Sequence, residues 1–355
     1  IITAQNGINF NGTSTGLNLS GVTTVADLTA TTISIGGTLT YEDVTSVDSV
    51  GVVTARGLSI FGNTTGLNVA SGISTFQAIT ATTGTFSADA TINGINVGKG
   101  ANSVGSNIAI GNGALDGSVT GANNLAIGLN ALTECTSGPN NVAIGNYTLD
   151  SLTTGQANTG VGYNTLQAVT TQRFNTAVGR SALQYNTAEY NVAIGYHAAQ
   201  TNTTGGQNTA VGSQALTANT TGSYNVAIGA NALDANTTGT LNVAVGMHAL
   251  GGNTTASNNT AIGHDALKSN TTGDQNVAVG TYALDSATTA IRNTVVGYNA
   301  GTTVSTGGYN AIFGAYAGED VNTGQYNTFL GYDCGPNIQD GNYNIAIGAA
   351  ALHTS

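Results

Sequence analysis

Five acidic residues, Asp116, Asp150, Asp234, Asp285 and Glu319, recur at one position of a repeating unit. Paired carboxylates are the machinery of glycoside hydrolysis, which needs them about 5–5.5 Å apart for retention or about 6.5–9.5 Å apart for inversion. No two of these acids fall in consecutive units. Asp116 and Asp150 are two units apart, about 10 Å if the units stack like strands. Avoidance of stacked like charges produces such a spacing, so the expectation is no catalytic residue and no enzyme. Pairs formed across chains stay open, which leaves a polysaccharide depolymerase as the weakest of three functional readings.

The other chemistry-bearing side chains are as thinly spread. His197 and His248 share the seventh position of the unit, three units or about 14 Å apart; His264 falls at a neighbouring position. Zinc draws its ligands to about 2 Å from one ion, so neither a metal site nor a cofactor is expected. Cys135 and Cys334 are separated by about twelve units, far beyond the ~4.4–6.8 Å Cα distance of a disulfide. Asn202, Asn219, Asn236, Asn253 and Asn270 each open an Asn-Thr-Thr triplet that fits the N-glycosylation pattern. The same residues are what a solvated turn requires, and that is the stronger reading. Tyr147, Tyr163, Tyr196, Tyr282, Tyr298, Tyr316 and Tyr332 cluster at the sixth and seventh positions. They could stack on sugars, although packing between chains explains them better.

The element that positions all of these is a short repeat, NVAIGANALDANTTGTL in the copy starting at Asn225. Its leading asparagine recurs at Asn107, Asn124, Asn141, Asn158, Asn175, Asn191, Asn208, Asn225, Asn242, Asn259, Asn276, Asn293, Asn310, Asn327 and Asn344. Every interval is 17 residues except the 16 between Asn175 and Asn191. A unit this short is one coil of a solenoid. The asparagines should form a ladder whose amides bond the coils above and below.

Within a unit, the apolar second and fourth positions share one face of a short strand, and the third is mostly Ala or Gly. The fourth-position residues Ile110, Ile127, Ile144, Ile194, Ile228, Ile262 and Ile347 are expected in the core with the ninth-position Leu233, Leu250 and Leu267. The small third position should leave a smooth face that another backbone can approach. Ile312 and Phe329 depart from that rule. Gly at the fifth position suits a turn, the ninth-position Leu marks a second strand, and a segment such as NTTG closes the coil. Residues 101–355 are thus read as an all-β roll of fifteen coils, roughly 70 Å long. Residues 1–100 read as a separate β-rich stalk, in which FNGTSTGLNLSG (from Phe10) resembles FGNTTGLNVASG (from Phe61).

Composition supports strands and excludes several partners. Charged residues make up 6% of the chain, against about 25% in an average globular protein, and Pro and Trp are nearly absent. The net charge of -11 and six scattered basic residues argue against nucleic acid and anionic membranes. No apolar run is long enough to span a bilayer as a helix. The start at Ile1 suggests a processed or partial chain. Ser355 falls part-way through a coil, so a distal tip or a self-cleaving trimerising chaperone is expected beyond it.

The tandem NVAIG units resemble the YadA-like head repeats of trimeric autotransporter adhesins, over roughly residues 101–355. The resemblance implies a left-handed parallel β-roll and a homotrimer. The repeats of that family are commonly a little shorter, so the NTTG turn here enlarges one coil edge. YEDVTSVDSVGVVTARG (from Tyr41) and GISTFQAITATTGTF (from Gly72) are similar to segments of tail fibres from phages of marine cyanobacteria. Three chains sharing an interface would also bury apolar surface that one narrow roll leaves open. The leading expectation is the structural shaft of a phage tail or other appendage fibre, located on the virion. Its partners would be its own copies, other virion proteins, and host polysaccharide or protein at the tip. A bacterial adhesin head is the alternative.

Overall fold

The computed structural model describes residues 90–336 and 338–352. The proposed stalk, with its tandem segments and the fibre-like phrases, lies outside the described residues except for its last part. That part is a hairpin, β1 (Ala90–Ile92) and β2 (Ile95–Gly98), closed by Asn93 and Gly94 at positive φ. β2 pairs antiparallel with the first coil strand, so residues 90–98 continue the sheet of the roll.

From there the chain is a parallel β-solenoid. Fifteen three-residue strands, β3 (Ile108–Ile110) to β17 (Ile345–Ile347), pair parallel in sequence order. Each coil aligns residue for residue with the next, as Val226, Ala227 and Ile228 do with Val243, Ala244 and Val245. Even the 16-residue interval keeps register, Thr176 pairing with Val192, because the missing residue is taken from the closing turn at Thr187–Ala188. Among the described residues the only helical segment is one 3-10 turn, Ala101–Ser103.

Side chains alternate along each strand, and the third position points inward. Ala109, Ala126, Ala143, Ala227, Ala244 and Ala261 are buried, together with the eighth-position Ala and the ninth-position Leu. Leu233, Leu250 and Leu267 are therefore core, as expected. The fourth-position residues are not. Ile194, Ile228, Ile262 and Ile347 are exposed in the single chain, at 40% for Ile228, and Ile110, Ile127 and Ile144 are only partly covered. The reason is volume. The interior is so narrow that Ala is the usual residue that fits opposite Leu, and the large partners of that Ala on the same strand must face out.

The exceptions confirm the constraint. Where the third position enlarges to Val295, Ile312 and Phe329, the ninth position shrinks from Leu to Gly301, Gly318 and Gly335. A Cβ at Gly335 would lie 2.9 Å from the Phe329 ring, and one at Gly318 3.0 Å from Ile312 Cδ1. In these three coils the core exchanges volume between the two positions, as close packing demands.

The second side of the coil is not a strand. Ninth-position leucines sit in the left-handed region, with φ between +50° and +61°. Alternating residues there still donate to the neighbouring coil; Leu233 N–H bonds Ala249 O at 3.0 Å and Asn231 N–H bonds Ser213 O at 3.0 Å. Leu occupies this site, rather than a β-branched residue, because a branched Cβ is the most strained at positive φ. The fifth-position glycines combine φ of +120° to +148° with close approach: a Cβ on Gly229 would fall 2.5 Å from Gly246 O.

Candidate functional surfaces

The leading asparagines form the expected ladder, and those between its two ends each make three kinds of bond. Asn225 Oδ1 accepts from the Asn242 backbone N–H at 3.0 Å, the Asn225 N–H donates to Asn208 Oδ1 at 2.9 Å, and Nδ2 donates to Gly239 O at 2.9 Å. The pattern runs from Asn107, whose Oδ1 accepts from Asn124, to Asn344, which donates to Asn327. Satisfied amides of this kind hold the chain; they offer nothing to a ligand.

A second ladder, which the sequence reading treated as surface turn, runs inside the twelfth position. Asn202, Asn219, Asn236, Asn253 and Asn270 are fully buried. Each Nδ2 donates to the preceding amide, as from Asn219 to Asn202 (2.6 Å) and from Asn236 to Asn219 (2.8 Å), and to the turn's own carbonyl. These amides have no room for a glycan. The block starts at Asn186 and stops at Asn270, whose Oδ1 is buried with no partner because Ala287 follows it in the column. Outside the block the same column is apolar, with Cys135, Leu152 and Val169 before it and Ala287, Val304 and Val321 after it.

The tenth-position acids do not pair with one another. Asp150 Oδ2 accepts from Gln167 (3.4 Å), which accepts from Gln184 (3.0 Å), which in turn accepts from Gln200 (2.9 Å). The column is an amide ladder ended by a carboxylate. Desolvation pushes the Asp150, Asp234 and Asp285 carboxyls above their ordinary values, against weaker hydrogen bonds. Glu319 is raised first by desolvation, then by repulsion from Asp320 and Asp333. Cys135 and Cys334 are buried free thiols, and desolvation raises Cys135.

The tyrosines named from sequence do come together. Tyr282, Tyr298, Tyr316 and Tyr332 form an edge-to-face column with ring centroids 6.4, 5.5 and 5.9 Å apart. Tyr147 meets Tyr163 in the same way, and Tyr196 stacks on His197. A second aromatic column was not anticipated. Tyr309, Tyr326 and Tyr343 stack nearly parallel at 4.7 and 5.0 Å, with Arg292 over the first ring. Its signal was the tyrosine immediately before the motif asparagine in three consecutive coils.

One cluster contradicts the reading that the histidines are isolated. His197 and His248 are indeed in separate coils, but Asp265 takes the seventh position directly after His248, and His264 precedes Asp265 in the chain. His248 Nδ1 lies 3.1 Å from Asp265 Oδ1, His264 Nδ1 3.7 Å from Oδ2, and Lys268 Nζ 3.1 Å from Oδ2. Comparing histidine only with histidine missed it; unlike residues at one position of consecutive coils carried the signal.

No family model and no curated sequence matches the chain. Among the described residues no helix is long and apolar enough to cross a membrane.

Proposed function

We propose that the roll is the shaft of a homotrimeric fibre, part of a phage appendage that holds a receptor-binding tip away from the virion. The observation that carries this reading is the outward apolar column. Exposed Val178, Ile194, Ile228, Ile262, Phe313 and Leu330 all stand at the fourth position of their coils, one above another, where a lone soluble rod would carry polar residues. A contiguous apolar stripe of this length is what partner chains cover. In this reading the residues expected in the core do enter one, between chains. Stiffness comes from backbone and amide ladders running along the axis, and the chain does no chemistry of its own.

Native mass spectrometry tests the assembly. The full chain should give a trimer, and the double substitution Ile228→Asp and Ile262→Asp should convert it to monomers by placing desolvated charges in the interface. A wild-type chain that is monomeric at micromolar concentration overturns the proposal. Immunogold labelling that decorates bacterial surfaces and no virion would move the same shaft to an adhesin.

A further inference from the structure

Two of the chain's four histidines meet a single carboxylate, in a sequence that is only 6% charged. Asp265 is buried while the imidazoles of His248 and His264 are about one-third exposed, so a fixed anion lies beneath two accessible rings. The coil ladder fixes the spacing. His248 N–H donates to Ala230 O and Asp265 N–H to Met247 O, both at 3.0 Å, which holds the two seventh positions one coil apart. One ligand atom from each of His248, His264 and Asp265 lies within 4.8 Å of the other two.

We propose that His248, His264 and Asp265 form a binding site for a divalent transition-metal ion of the zinc class. Ligand atoms at about 2.0–2.2 Å from a tetrahedral ion lie roughly 3.3–3.5 Å from one another, so the 3.1 Å gap between His248 Nδ1 and Asp265 Oδ1 must widen by only a few tenths of an ångström, and the His264 ring must turn to close on the same ion. Two imidazoles and one carboxylate suit zinc, cobalt or nickel; calcium and magnesium prefer an all-oxygen set. Three protein ligands leave the fourth position to water.

Two neighbours support the assignment. Asn231 places its side-chain amide 3.1 Å from His248 Nε2. A histidine that binds metal through Nδ1 carries its proton on Nε2, and the Asn231 amide, turned over, offers Oδ1 to accept it. Gly251 and Gly252 stand where the adjacent coils carry Asp234–Ala235 and Lys268–Ser269. Their missing side chains leave a notch of about 340 Å³ that reaches the cluster on the His248 side alone, lined also by Asp234, Lys268 and Ser269. Lys268 is the competitor: its ammonium bonds the Asp265 oxygen that an ion would take. A bound ion would tie two successive coils together through side chains alone.

Isothermal titration of the full chain, stripped with a chelator and measured near pH 7.5, tests the site. We expect one Zn²⁺ per chain, no heat with Ca²⁺, at least tenfold weaker Zn²⁺ binding for His264→Ala, and unchanged binding for His197→Ala. Lys268→Ala should tighten binding severalfold, a result no merely structural role for the cluster produces. The metal-free melting temperature of His264→Ala should equal that of the parent, which separates lost ligation from misfolding. Zn²⁺ binding that survives His264→Ala, equal binding of Ca²⁺, or no saturable Zn²⁺ heat overturns the assignment. The site lies within one chain, so these outcomes do not depend on the fibre proposal.

Discussion

Two stretches of the roll build the same coil with opposite interiors. In the middle coils, from Asn208 to Gln275, the third position is Ala, the ninth is Leu and the twelfth is a buried Asn in a hydrogen-bonded ladder. Between Asn293 and Tyr343 the third position is Val295, Ile312 or Phe329, the ninth is Gly, and the twelfth is Val304, Val321 or Ile338. Both keep the fifth-position glycine, the leading asparagine and the parallel register. The architecture therefore fixes the backbone path, and leaves open which positions fill the interior and whether it is polar. Interior positions are coupled in sets: the third is buried in every coil, but how much of the interior it fills depends on the ninth and twelfth.

The sharpest way to break the comparison is to exchange the two solutions at one coil. Phe329→Ala empties the space its ring fills beside Gly335 and should cost about 3–5 kcal/mol in the C-terminal coils. Gly335→Leu alone should also destabilise, because its first carbon meets the ring at 2.9 Å. The double substitution restores the arrangement of the middle coils. Gly335 has φ +71°, in the same left-handed region that leucines occupy at this position elsewhere, so the backbone accepts it. Denaturant unfolding should recover more than half of the summed losses, a strong non-additive coupling. Additive losses would show that the two positions do not share one volume.

This coupling also marks where the sequence was legible and where it was not. The period, the asparagine ladder, the glycine turn and the ninth-position leucines could be read because each is imposed on nearly every coil by backbone geometry. The direction of Ile228 could not, since apolarity is the same signal for a chain's own interior and for a surface that a partner covers. Taking Ala227 as the smooth outer face followed from that error; Ile312 and Phe329, noticed as exceptions, were the clue that the third position is internal. The ninth position read as a strand because an apolar residue recurs there, yet Leu without Val or Ile was already the mark of a left-handed site. His248 and Asp265 escaped because they are alike in register and unlike in type.

A smaller effect separates the interior and the boundary of the polar block. Asn236 donates to Asn219 and Gly239 and accepts from Asn253, so Asn236→Ala strands buried groups on both sides and should cost about 1–3 kcal/mol. Asn270 already carries an unpartnered Oδ1 against Ala287. Asn270→Val only moves the boundary by one coil, transferring the orphan to Asn253 and adding apolar volume, so its change should stay within about 1 kcal/mol of zero. Equal losses at both sites would mean that the ladder contributes through packing alone.

The smallest effect concerns acid. Asp150 and Asp234, in earlier coils, and Asp285 and Glu319, toward the C-terminal end, all have carboxyls raised by desolvation. A carboxyl whose folded pKa lies above its unfolded value takes up a proton on folding. Its stabilising contribution is then fully present below the unfolded value, near 3.8 for aspartate, and is lost as pH rises through the higher folded value. Lowering the pH from 7 toward 4 should thus strengthen the roll at these groups, opposite to ordinary acid denaturation. Glu319 adds repulsion from Asp320 and Asp333, whereas Asp150 is partly relieved by hydrogen bonds from Gln167 and Ser151. Hydrogen exchange at pH 4.5 and 7, corrected for intrinsic rates, should show the larger gain in protection in the coil of Glu319. Glu319→Gln should remove that difference, because a neutral amide gives up the repulsion at every pH. A gain that persists in Glu319→Gln would place its origin in the apolar C-terminal interior.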